Sequence, residues 1–88
     1  MKRMVNKVPL GSILSLLYGH TKIVIEDRKH KDIYIDNSPD TKSWEGLVKD
    51  VWKASDEIRY KWMMTSVYQI WHREDHILFL ISTEFEQY

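Results

Sequence analysis

The sequence predicts one small α+β domain spanning residues 1–88, with the order α-β-β-α-β-β and about four strands in a mostly antiparallel sheet covered by helices. Three observations lead there. Eighty-eight residues support a single hydrophobic core. Apolar residues recur at helical spacing in two stretches, 9–18 and 43–59. Four β-branched or aromatic runs are bounded by polar turn formers.

Taken in order, residues 1–7 carry Lys2, Arg3 and Lys7 and read as a basic arm ahead of the domain. Leu10, Ile13, Leu14 and Leu17 then place one apolar face on a helix over 9–18, with Pro9 suited to its first turn and Gly19 to its end. Gly11 weakens that helix, so packing has to hold it. "TKIVIED", "RKHK" and "DIYID" form a β-hairpin pattern. Pairing Ile25 with Ile33 and Ile23 with Ile35 collects four isoleucines on one face, the expected core face. "DNSPD" ends the second strand.

Trp44, Leu47, Val48, Val51 and Trp52 fall on one face of a helix predicted over 43–59, with Ser43 as N-cap. A continuation through "SDEIRY" and a new turn at Ser55 both fit. "VYQIWH" and "HILFLIS" supply the last strand pair. Between them "HREDH" sets His72 and His76 four apart. On a helix the two imidazoles would share a face and could chelate zinc, but the β-branched and aromatic flanks predict a hairpin tip. A three-residue loop puts His72 opposite His76, whereas a two- or four-residue loop pairs His72 with Ile77 and separates the imidazoles. No metal is expected. The second register puts Tyr68, Ile70, His72, Ile77, Phe79 and Ile81 on one face and Val67, Gln69, Trp71, Leu78 and Leu80 on the other.

Composition removes several functions. Thirteen basic side chains balance thirteen acidic ones, without the surplus a phosphate-binding surface needs. The absence of cysteine excludes disulfides, thiolate metal sites and cysteine nucleophiles. The longest apolar run, Ile77–Ile81, is far below the ~20 residues of a membrane span, and no signal peptide is read. The three glycines are isolated, so there is no phosphate loop or dinucleotide fingerprint. The expectation is a cytoplasmic, non-enzymatic domain without cofactor.

Small aromatic-rich domains of low net charge are suited to binding other proteins or themselves. Four tryptophans and five tyrosines are more than one small core needs. Trp62, Trp71, Tyr68 and Tyr34 are therefore the expected partner-binding residues, with an exposed patch expected on the Trp71 face of the sheet, extended by Trp62. The alternative is a nucleic-acid-binding module in which Arg28, Lys29 and Lys31 contact phosphate and sheet aromatics stack on bases.

"SILSLL", "TKIVIED", the spacing of Val67 and Ile70, and the closing "ILFLI" together resemble small uncharacterised phage and prophage proteins of low-GC bacteria. The resemblance spans most of the chain, although the Trp44–Trp52 stretch is longer than the connection expected there. It implies a class of gene whose products bind and inhibit host proteins, the pool that includes anti-CRISPR and other anti-defence inhibitors. It assigns no individual residue.

Overall fold

The computed structural model describes residues 8–28 and 41–83. The elements run α1 (Leu10–Leu14), β1 (Lys22–Asp27), β2 (Lys42–Leu47), α2 (Val48–Val51), α3 (Asp56–Tyr60), a 3-10 turn (Trp62–Met64), β3 (Val67–His72) and β4 (Ile77–Ile81). They build a small α+β domain on a four-stranded mixed sheet in the order β2-β1-β4-β3. The two outer pairings are antiparallel and the central β1–β4 pairing is parallel.

The helices lie on one sheet face. Leu10 and Leu14 of α1, Val48 and Val51 of α2, Ile58 of α3, and Trp62 and Met63 pack with Ile23, Ile25, Phe79 and Ile81 in one apolar cluster. Their alternation along β1 and β4 follows from the two-residue period of a strand. α1 is shorter than the expected 9–18, and Leu10 N donates to Thr65 O at 2.9 Å to tie its start to the segment before β3. Gly11 has a packing reason to be small. A Cβ there would meet the Met63 carbonyl oxygen at 3.2 Å, so glycine lets α1 close on the 3-10 turn.

The expected helix over 43–59 does not form. Residues 42–47 are β2, which pairs with β1 and sets Trp44 across from Ile25 and Gly46 across from Ile23. The Trp44 indole lies over Gly46, where an added Cβ would come within 2.9 Å of Trp44 Cη2. Glycine in this strand therefore makes room for an aromatic ring, and pairing with β1 overrides the helical spacing. The N-cap is Ser55, not Ser43: its hydroxyl accepts from Ile58 N at 3.2 Å and starts α3. Trp52, placed on the buried stripe by spacing, is 36% exposed at the end of α2.

Two further expectations are corrected. Ile25 lies between Trp44 and Phe79, so its cross-strand neighbours are not Ile33. The expected second strand of that hairpin, 32–36, lies outside the described residues, as does the basic arm 1–7. In the last strand pair the register shifts between Val67 and Gln69, with Tyr68 as the extra residue of a bulge. This turns Val67 onto the core face opposite Ile81, although strict alternation puts it on the other face.

No described helix is long and apolar enough to cross a membrane.

Candidate interaction edge

"HREDH" forms the tip of the β3–β4 hairpin. His72 pairs with Ile77, and Arg73 N donates to His76 O at 2.8 Å, leaving Glu74 and Asp75 at the apex. Successive side chains of paired strands alternate faces, so His72 and His76 fall on opposite sides of the hairpin. His76 Nδ1 instead lies 2.8 Å from Asp75 Oδ1. That hydrogen bond, assisted by the field of Lys22, holds the Asp75 carboxyl below the usual carboxylate range, against a smaller opposing effect of desolvation. Among the described residues no three His, Cys, Asp or Glu side chains are grouped to hold a metal ion.

The sequence-predicted contact residues scatter. Trp62 is 3% exposed and belongs to the core cluster, on a 3-10 turn that packs against α1 and α3. Its indole N–H finds no acceptor among the described residues. Trp71 is half-buried under two guanidinium groups, with Arg73 Cζ 4.9 Å and Arg28 Cζ 6.0 Å from the ring centroid. Tyr68 is half-buried at the bulge, and Tyr34, Lys29 and Lys31 lie outside the described residues. Arg28 is no open phosphate contact. It is 4% exposed, and its Nε and Nη2 donate to Glu26 Oε1 at 2.9 and 2.7 Å.

The Trp71 face is likewise not the open apolar patch expected of it. Leu78 and Leu80 are buried there, outside the cluster that the helices cover. Part of the reason is visible in the register. Glu26 lies beside Leu80 on one side and Trp71 beside Leu78 on the other, so the Glu26–Arg28–Trp71 chain passes diagonally over β4. Across the sheet, Asp27 is fully buried at the end of β1 and accepts from Thr83 N at 2.9 Å and Thr83 Oγ1 at 2.8 Å, tying down the chain after β4.

Among the described residues, what remains open is the outer edge of β3 at Ile70 and His72. Val67 N donates to Val8 O at 3.1 Å, and Pro9 bridges Ser66, so the stretch before α1 covers the start of this edge. Farther along, the bonded pair Arg73–His76 fixes the alternation of the ladder. The His72–Ile77 and Ile70–Phe79 pairs are then the non-hydrogen-bonded ones, and the N–H and C=O of Ile70 and His72 point away from β4. The Ile70 side chain is 47% exposed. Ile70, Trp71, His72 and Arg73 line a shallow, open concavity of about 360 Å3. Arg73 is exposed and is paired with no carboxylate among the described residues. Among the described residues, the outward backbone groups of Ile70 and His72, an exposed β-branched side chain and an arginine without a carboxylate partner can together dock an extended peptide strand.

Sequence reasoning missed Ile70. Alternation assigns it to the core face together with Phe79, which is its face, but spacing does not show how exposed it is there. The larger exposed apolar side chains Leu16, Tyr18, Trp52, Tyr60 and Met64 all belong to the helical half.

No protein-family model, curated protein or solved structure matches the chain.

Proposed function

We propose that this chain is a protein-binding domain that acts by occupying a surface on a larger protein, without catalysis of its own and without a cofactor. The β3 edge carries this reading. Backbone groups of Ile70 and His72 face outward beside an exposed Ile70, next to an indole fixed by two arginines. Strand addition at such an edge draws affinity from main-chain hydrogen bonds and specificity from side chains on either side. In its finer form the proposal follows the resemblance to small phage proteins: the bound protein is a host factor, and binding inhibits it.

The test is capture from a nuclease-treated host lysate by wild type and by Ile70→Lys. The domain is expected to retain a defined protein that Ile70→Lys loses at unchanged melting temperature. Material that disappears with nuclease, or binds both forms equally, contradicts the reading; the first result would instead assign the domain to nucleic acid.

A further inference from the structure

The chemistry along β3 specifies more than an open edge. A strand added to β3 pairs with the outward groups of Ile70 and His72, which fixes its register. One of its residues then lies across from Ile70 and another, three positions along, across from Arg73. Side chains three apart on a strand leave on opposite faces, matching Ile70 on β3 and Arg73 just past its end, where the pair with His76 continues the alternation. Ile70 presents apolar surface, and the Arg73 guanidinium, held over Trp71, has no carboxylate partner among the described residues. Arg28, the other cation on this indole, is already paired with Glu26. One cationic position is therefore available to a ligand.

We propose that the β3 edge takes an extended acidic segment of a partner protein, with an apolar side chain against Ile70 and a carboxylate three positions away against Arg73. The inference rests on the strand-docking reading above and names the partner's chemistry. A second copy of this chain fits less well. Three two-fold antiparallel registers use the outward groups, centred on Ile70, Trp71 or His72. They place Arg73 across from Val67, Gln69 or Trp71 of the second copy respectively, and none supplies a carboxylate. The Tyr68 bulge further restricts a symmetric pairing of two β3 strands.

The experiment selects binders to the immobilised whole chain from a randomised short-peptide library, then titrates the leading peptides while amide chemical shifts are followed. Wild type should enrich a β-branched residue and an Asp or Glu three positions apart, and the peptides should shift the Ile70 and His72 amides. Replacing that acid by lysine should weaken binding roughly fivefold, the upper range for an exposed ion pair. Arg73→Glu should reverse the preference. Enrichment without acidic preference, with the Ile70 and His72 amides still shifting, overturns the acidic partner and leaves strand docking standing. Failure to enrich any peptide, or shifts confined to other amides, overturns both. A wild-type dimer in light scattering that Ile70→Lys dissolves also overturns the proposal, assigning the edge to a second copy.

Discussion

Replacing Trp62 separates a core role from a contact role in one residue. Its side chain is 3% exposed among Leu10, Leu14, Ile58 and Met63. Truncating a buried tryptophan to alanine costs about 3–5 kcal/mol through lost burial and the cavity left behind. The indole N–H has no acceptor among the described residues, so its removal relieves a penalty of about 1–3 kcal/mol already present in the wild type. Trp62→Ala is therefore placed at the low end, about 3 kcal/mol. For a domain of this size each kcal/mol moves the melting temperature by roughly 4–8 °C, which gives a fall of roughly 12–24 °C. Trp62→Phe keeps most of the ring and deletes the unpaired N–H, and should stay within about 1 kcal/mol of wild type. Urea denaturation at 25 °C with calorimetry measures both. A Trp62→Ala melting temperature within a few degrees of wild type, at unchanged m-value, would show that Trp62 is not core and that the helical layer is wrongly assigned.

Three other perturbations have defined outcomes. Asp27→Ala leaves the Thr83 N–H without its buried acceptor and should cost about 1–3 kcal/mol in chemical denaturation, with Asp27→Asn recovering part of the loss; no loss would detach β1 from the chain after β4. Gly11→Ala should fail to deliver the ~1 kcal/mol that alanine usually adds to a helix, because its Cβ would press on the Met63 carbonyl; a rise in melting temperature would show that the contact between α1 and the 3-10 turn yields freely. Asp75 has a depressed folded-state pKa, so its stabilising contribution is complete above the unfolded carboxylate value and is lost as pH falls through the folded one. An NMR titration should show its midpoint rising in His76→Ala, and an unchanged midpoint would remove His76 as the main cause.

Local signals carried the parts of the fold that depend on neighbours in sequence. The alternation of "KIVIED" gave β1 with Ile23 and Ile25 inward, and the flanks of "HREDH" gave the last hairpin, including the four-residue-loop alternative that pairs His72 with Ile77. Ser55 was readable as the start of a new turn because a hydroxyl before Asp56 and Glu57 is a helix-start signal. Residues 43–47 were misread because Trp44 and Leu47 are helically spaced from Val48 and Val51, while what decides their conformation is an edge of β1. Gly46 was the available clue, since a glycine in that position disfavours a helix. The parallel β1–β4 pairing joins strands with no shared turn, and no local pattern announces it. Trp71 stands out in the sequence as an aromatic of the last strand pair, but its two arginine neighbours do not, since Arg28 follows β1 and reaches it across an intervening strand. The exposure of Ile70 is a tertiary property that strand alternation does not carry.

Amide hydrogen exchange of the whole chain, free and saturated with its captured partner, tests strand docking at β3 most directly. Docking predicts new protection at the Ile70 and His72 amides, whose N–H groups face away from β4, with little change at amides already bonded in the ladder. Protection appearing instead around Trp52 and Tyr60, with Ile70 and His72 exchanging as in the free chain, would move the binding surface to the helical half and contradict the edge.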